Sequence, residues 1–171
     1  MADDAKGTKV RPDSPEGTKA QAPVRFMGSF SHSMDNKGRL VIPQNFREKL
    51  GGNFCIAPSF DFRSISIYPP QTWEKRNETY GKLGQLNPAV NRFLEQFYAL
   101  SYDEQTFDGQ GRVLLPTNIR QKILGEEKDV EITGANDHIR VVAASVSARV
   151  WDQFQEELPG LLDMIAALEN T

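Results

Sequence analysis

The sequence predicts an α+β fold that contains two copies of one β-turn-β-α-β-β unit. Three patterns indicate it: an internal repeat, short apolar segments bounded by turn residues, and helical periodicity between and after the copies. Residues 35–52 align with residues 108–125, 73 positions later, and 8 of the 18 pairs are identical, where unrelated sequences would share about one. Five further pairs match one apolar residue with another. The repeat therefore predicts two similar units that share one core.

Composition limits how the protein could bind a charged partner. The chain has 171 residues, 39% of them hydrophobic, with a net charge of -3 and a pI near 5.5. Such a chain can bury one ordinary core, and it lacks the strongly basic surface typical of many nucleic-acid-binding proteins. From Trp151 onwards there are five acidic residues and no Lys or Arg, so the rest of the chain is slightly basic. Any anion-binding surface must therefore be a limited basic patch on a protein that is acidic as a whole.

Targeting signals and disulfide bonds are not predicted. The single cysteine, Cys55, lies in an apolar run, excludes an intramolecular disulfide and is expected to be a buried small apolar residue. Neither a membrane span nor the apolar core of a signal peptide is present in the sequence. We expect a soluble cytoplasmic protein. Residues 1–24 have almost no large apolar side chains and are predicted to form a disordered tail.

The first unit is predicted over residues 25–70. Residues 26–34 alternate as a strand does, and Asp35 and Gly38 supply turn chemistry, because Asp accepts local backbone hydrogen bonds and Gly tolerates positive φ. A returning strand, a helix that begins after Pro43, and two more strands follow; we expect them at residues 39–42, 44–50, 54–57 and 64–68.

The second unit, residues 100–150, repeats this order, with Asp108 and Gly111 in the turn. Its predicted strands and helix are residues 100–107, 112–115, 117–124, 130–133 and 139–143. Residues 71–99 are predicted to form connecting helices, the second of them capped by Asn87. Residues 151–171 are predicted to form an acidic amphipathic helix, broken near Pro159.

Basic residues recur at matched positions after each turn. If the turns and helices face the same way, they form a local positive surface: Lys37, Arg39, Arg47 and Lys49 in the first copy, with Gln110, Arg112, Arg120 and Lys122 in the second. Arg can grip phosphate oxygens or guanine O6 and N7 with two hydrogen bonds. A two-stranded ribbon is narrow enough to enter the major groove of DNA. This pattern indicates double-stranded DNA as the partner.

A structural interpretation of the same arginines stays open. In an Asp-x-x-Gly-Arg turn the carboxylate can bridge to the Arg and hold the turn closed, with no ligand involved. Asp35 and Asp108 are expected to serve their turns in either case. The arginines favour binding, because Lys, Gln or Thr at these positions would satisfy a fold equally well.

The chain resembles the MraZ family, whose members contain two swapped-hairpin units related to the AbrB type. The resemblance covers residues 26–151 and depends on Phe26-Met27-Gly28, Phe30 and His32, Met34-Asp35-Asn36-Lys37-Gly38-Arg39, Trp73, Asn87-Pro88, Asp108-Gly109-Gln110-Gly111-Arg112, Pro116 and Arg120. One such turn motif alone would be weak, whereas two copies in this order are specific.

The resemblance implies a bacterial transcriptional regulator of the division and cell-wall gene cluster, including its own promoter. It also implies a homo-oligomeric ring and DNA contact through Arg39. We expect such a protein to lie at the nucleoid, and we predict no cofactor, no metal and no catalytic residue.

Two other functional classes are alternatives to DNA binding. An enzyme would need a nucleophile and base or a metal-ligand set, yet the histidines, His32 and His138, are far apart in sequence and have no partner at ligand spacing. A protein-interaction module, such as an antitoxin-like one, would use the same fold and bind protein through its helices. Salt separates this class from DNA binding, because only phosphate contacts weaken steeply with ionic strength.

Overall fold

The computed structural model describes residues 22–171, so the predicted disordered tail lies outside the described residues up to position 21. The first unit contains two short strands, one helix and two further strands: β1 (Ser29–Ser33), β2 (Arg39–Val41), α1 (Gln44–Leu50), β3 (Phe54–Pro58) and β4 (Ile65–Tyr68). Two helices follow, α2 (Pro70–Leu86) and α3 (Pro88–Ala99).

The second unit has the same order of elements as the first. It contains β5 (Tyr102–Gln105), β6 (Arg112–Leu114), α4 (Thr117–Leu124), β7 (Asp129–Gly134) and β8 (Ile139–Ala143), and helix α5 (Ala144–Glu169) follows it. The twofold occurrence of β-β-α-β-β confirms the α+β fold of two tandem units predicted from the repeat.

The two units exchange strands. Within residues 22–171 the main antiparallel sheet has the order β1-β7-β8-β4-β3-β5, and β2 pairs with β6 in a separate two-stranded ribbon. The strand after the turn therefore does not return beside β1, as it would in a self-contained hairpin. An isolated hairpin is marginal in water, and the exchange lets Leu40 and Val113, which face each other across the ribbon, become buried.

One apolar core lies between the exchanged strands and the helices α1 and α4. Phe46 of α1 and Ile119 of α4, which occupy equivalent positions in the repeat, are both fully buried in it. Phe46 contacts Phe26 and Phe30 edge to face, with ring centroids 5.8 and 5.4 Å apart. Since both units contribute to this core, neither unit could bury its apolar residues alone.

Helices α2 and α3 cover a second apolar cluster beside β3 and β4. Trp73, Tyr80, Leu94 and Phe97 are buried there with Cys55. The Asn87 side chain accepts a hydrogen bond from the N–H of Ala89 at 2.8 Å and caps α3, as its sequence position predicts. The connecting helices therefore pack on the same body as the repeats.

Helix α5 differs from the predicted C-terminal helix at two points. It begins at Ala144, because the Glu127 carboxylate accepts hydrogen bonds from the backbone N–H and hydroxyl of Ser145, at 2.9 and 2.5 Å, at the helix start. The predicted break near Pro159 is wrong, since the helix continues through it. Pro159 removes one backbone hydrogen bond, and water can replace it because Pro159 and Gln155 are both exposed.

Candidate nucleic-acid interface

Asp35 organises the turn between β1 and β2. Its Oδ1 accepts hydrogen bonds from the backbone N–H groups of Lys37 and Arg39, both at 2.9 Å, and its Oδ2 accepts one from Arg39 Nε at 2.5 Å. Gly38 has a φ of 80°, a conformation that side chains other than glycine rarely adopt. The Asp-to-Arg spacing thus closes the turn and orients the arginine at the same time.

The turn between β5 and β6 has the same geometry. Asp108 Oδ1 accepts from the N–H groups of Gln110 and Arg112 at 2.9 Å, and Oδ2 accepts from Arg112 Nε at 2.8 Å. Gly111 has a φ of 72°. The bridge from the turn aspartate to the following arginine, which the structural interpretation of the sequence expects, is therefore present in both copies.

Arg39 and Arg112 nevertheless share the outer face of the β2–β6 ribbon. Arg39 pairs with Leu114, and Val41 pairs with Arg112, so these four residues point away from the buried pair between them. The two arginine side chains remain 32% and 24% exposed. Arg39 uses only Nε for Asp35, and its terminal nitrogens make no hydrogen bond within residues 22–171. Each of the two arginines is therefore partly exposed and bonded to the aspartate of its own turn.

The Asp35 carboxylate should titrate at unusually low pH. Hydrogen bonds from the Arg39 backbone, the Arg39 side chain and the Lys37 backbone lower its pKa to about 2 from the usual 3.8. A depressed pKa means that this bridge stabilises the fold fully above pH 3.8 and loses its contribution as the pH falls through 2. We expect carboxyl-carbon NMR titration to give a midpoint near 2 and Arg39→Ala to move it towards 3.8. A midpoint near 3.8 in the unmodified protein would contradict the bridge.

Arg47 of α1 and Arg120 of α4 pack against the turns. A Cβ built on Gly111 would lie 1.5 Å from Arg47 Nη1, and one built on Gly38 would lie 1.2 Å from Arg120 Nη1. Arg120 Nη1 also donates to the Lys37 carbonyl at 2.9 Å. Each helix arginine therefore packs on the turn of the opposite unit.

This placement brings the basic residues together across the two units, so that the DNA-binding role of Arg47 and Arg120 stays a prediction. Because β2 pairs with β6, the helix that follows each of these strands lies beside the turn of the other unit. Arg47 Nε is buried and has no hydrogen-bond partner within residues 22–171. The outer face of the ribbon therefore presents Arg39 and Arg112, while Arg47 and Arg120 join the two units.

The remaining basic and polar residues of the predicted surface are exposed. Lys37 lines a shallow depression with Arg39 and Leu114, and Gln110 and Lys122 are exposed without a side-chain hydrogen bond among residues 22–171. Lys49 donates to the Arg25 carbonyl at 2.7 Å. Lys37 is thus the lysine of this set that stands beside an outer-face arginine.

Sequence reasoning missed two features of this region. Val41 and Leu114 are 44% and 56% exposed on the same ribbon face as the arginines, a position that the two-residue period of a strand could have indicated. Lys128 donates to the side chain of Asn36. Nothing in the sequence indicates this second contact, which joins the first turn to the segment before β7.

The thiol and one of the two histidines of the described residues lie in structural contacts. Residues 22–171 contain no group of three or more His, Cys, Asp or Glu placed to hold a metal ion. Burial raises the pKa of the Cys55 thiol to about 12, so it is a poor nucleophile at neutral pH. His138 binds Asp137, Nδ1 to Oδ1, at 2.7 Å and stacks on Tyr68. In the same range, every helix is too short or too polar to cross a membrane.

Comparison with known proteins identifies the family. The family model described as "MraZ protein, putative antitoxin-like" matches residues 25–95 and 100–162. The chain is 33% identical over 141 residues to "Transcriptional regulator MraZ" of Natranaerobius thermophilus, across 82% of this chain and 94% of that protein. The proteins of the same name from Leuconostoc mesenteroides and Lactiplantibacillus plantarum are 34% and 35% identical, across 81% and 82% of this chain and 97% and 95% of theirs. The chain, with two matching repeats and relatives similar over most of both lengths, belongs to the MraZ family.

Proposed function

We propose that this protein is a sequence-specific DNA-binding transcriptional regulator, a repressor of the bacterial division and cell-wall gene cluster that includes its own promoter. The observation that carries the proposal is the shared outer face of the β2–β6 ribbon, on which Arg39 and Arg112 stand. The names of the relatives, transcriptional regulators, support the same function.

The Asp35 bridge suits Arg39 for this role. A long side chain normally loses rotamer freedom when it binds a ligand. Because Nε of Arg39 is already held by Asp35, the side chain is oriented in advance and its terminal nitrogens stay available. Two parallel N–H donors match either a phosphate or the O6 and N7 edge of guanine. We assign direct DNA contact to Arg39 and Arg112, assisted by Lys37.

Repression follows from occupancy of the promoter. One ribbon offers a small contact area, so each site is held weakly. We propose that a homo-oligomeric ring in the cytoplasm, at the nucleoid, presents several ribbons to several short repeats at once. Linked contacts of this kind bind far more tightly than any one alone, so DNA with one repeat is expected to bind much more weakly than DNA with several.

Arg39→Ala is expected to weaken DNA binding by about 1–3 kcal/mol per ribbon, or roughly 5- to 150-fold, the range for loss of a two-pronged arginine contact. The measurement is a gel-shift titration at several salt concentrations. The probe is DNA retained by the unmodified protein from a random pool. The salt dependence should also become shallower, because one fewer cation displaces counterions.

Arg92→Ala is the matched control, because Arg92 is an exposed arginine of α3, outside the ribbon. It removes the same charge and should leave the affinity unchanged. Equal losses in the two variants would mean that net charge alone drives binding. Unchanged binding in Arg39→Ala would refute the role of the ribbon.

An antitoxin-like protein-binding module is the second candidate, favoured by the description of the family model. Such a module would bind a protein partner through apolar contacts. Its complexes would respond little to salt, whereas DNA complexes should weaken steeply. The same salt series therefore separates the two functions.

A further inference from the structure

Helix α5 carries a large apolar surface that nothing in residues 22–171 covers. No residue of the helix is buried, and its main contacts with other elements are those with β7 and β8. Trp151, Met164 and Leu168 are 59%, 61% and 70% exposed. An unpartnered apolar surface of this kind commonly marks an interaction site.

The apolar residues of α5 follow a heptad pattern. Six of them alternate at intervals of three and four positions: Trp151, Phe154, Leu158, Leu161, Ile165 and Leu168. This spacing forms one continuous seam along a helix and is the pattern that pairs one helix with another. Leu162 and Met164 widen the seam at its far end, so the surface fits an elongated apolar partner such as a second helix.

The size of the surface matches a stable contact. Eight large apolar side chains of α5 are at least 36% exposed, enough to supply much of the roughly 800 Å² that each partner contributes to a standard protein interface. The largest apolar patch of a typical monomer is roughly 300–600 Å². A surface of this extent favours a protein partner.

The charges of α5 narrow the choice of partner. The helix has five acidic residues and a single basic one, Arg149. DNA phosphates and anionic lipid headgroups would be repelled by this helix. In antiparallel orientation Glu169 near the end of one helix lies at the height of Arg149 near the start of the other, whereas in parallel orientation every acidic residue lies at the height of its own equivalent.

We propose that α5 pairs with α5 of a second copy of this chain in an antiparallel, two-fold contact. The heptad spacing then places Trp151 opposite Leu168, Phe154 opposite Ile165, and Leu158 opposite Leu161 of the second copy. Each large side chain meets an aliphatic one. The two-fold axis lies at the level of residues 159 and 160. The last turns of each helix therefore lie beside the first turns of the other.

An open groove receives those last turns. It has a volume of about 680 Å³ and lies between the start of α5 and the sheet, lined by Val146, Trp151 and Phe154 on the helix side and by Val142, Arg63 and Arg140 on the other. Asp61 and Glu157 also border it. The antiparallel register brings the partner's apolar end and its Glu169 to this groove, where Arg63 and Arg140 complement the carboxylate.

Cysteine cross-linking tests the orientation. Trp151→Cys and Leu168→Cys proteins are prepared separately, then dissociated, mixed, reassembled and oxidised. The mixture should form a covalent dimer and each variant alone should not, because a disulfide requires Cα atoms about 4.4–6.8 Å apart. Cys55 is 2% exposed and should not interfere. Dimers from either variant alone would indicate parallel helices and overturn the proposal, as would a mixture without dimers.

A charge substitution tests whether the seam holds the copies together. Phe154→Asp with Ile165→Asp should lower the native mass measured by light scattering, because the seam would no longer join two copies. Ala166→Asp with Ala167→Asp adds two charges on the opposite side of the helix and should leave the mass unchanged. Circular dichroism checks that both variants keep their helix content.

The mass measurement also separates other occupants of the seam. The proposal fails if the unmodified protein has the same mass as the Phe154→Asp, Ile165→Asp variant. The seam would then be covered by another protein or by the first residues of the chain, or it would stay uncovered. None of these readouts uses DNA. Failure here would leave the proposed regulatory function untouched, and a failed gel-shift experiment would leave this contact untouched.

Discussion

Phe46→Ala is expected to lower the free energy of unfolding by about 3–5 kcal/mol, the range for truncation of a buried phenylalanine. Phe46 has no exposed surface and lies in the core shared by the two units. Its ring contacts Phe26 and Phe30. Alanine would leave a cavity between the exchanged strands and α1, where the tightly hydrogen-bonded sheet cannot collapse to fill it.

The measurement is urea unfolding followed by circular dichroism at fixed protein concentration, because assembly also contributes to stability. Ile119→Ala is the matched variant, since Ile119 occupies the equivalent position in α4 and is equally buried. It removes a smaller side chain and should cost about 2–4 kcal/mol. A loss below about 1 kcal/mol for Phe46→Ala would contradict a shared, close-packed core.

Gly38→Ala combined with Gly111→Ala is expected to lower the free energy of unfolding by about 2–4 kcal/mol. Both glycines have positive φ, 80° and 72°, and a side chain in this region costs about 1–2 kcal/mol per residue. The new methyl groups would also occupy the positions of Arg120 Nη1 and Arg47 Nη1. The arginines must move away and abandon their contacts with the turn of the opposite unit.

Gly109→Ala is the control for this double substitution. Gly109 lies in the second turn, and a Cβ there would meet nothing within 4 Å. Its effect should stay within about 0.5 kcal/mol, as for an ordinary surface position. Thermal and urea unfolding of the three proteins give the comparison. If the double variant were as stable as the Gly109→Ala protein, the packing of Arg47 and Arg120 on the opposite turns would be wrong.

The arginines divide between two tasks that the repeat alone does not separate. In each copy, one arginine follows the turn on the strand and one lies in the helix eight positions later. The strand arginine bridges to the aspartate of its own turn, at 2.5 and 2.8 Å in the two copies. The helix arginine packs on the other unit's turn glycine. Loss of the helix arginine should therefore act mainly on stability, and loss of the strand arginine on binding.

Local sequence patterns predict the secondary-structure elements and the turns of this protein. The repeat, the Asp-x-x-Gly-Arg turns and the Asn87 cap predict the β-β-α-β-β order and the residues that shape each turn, because these features depend on contacts within a few positions of the chain. The same patterns predict the apolar face of the connecting helices. They also indicate the family, which the comparisons establish.

The residue patterns leave open how the two units combine; the family resemblance implies swapped hairpins, and only the tertiary structure shows which strands pair. Strand pairing connects residues far apart in sequence, so the repeat cannot tell whether β2 pairs with β1 or with β6. That choice places Arg39 and Arg112 on one outer face and carries Arg47 and Arg120 to the opposite turns. Likewise, the Glu127 contact that starts α5 at Ala144 comes from a distant loop. Short-range chemistry specifies the elements, and long-range packing specifies which residues meet.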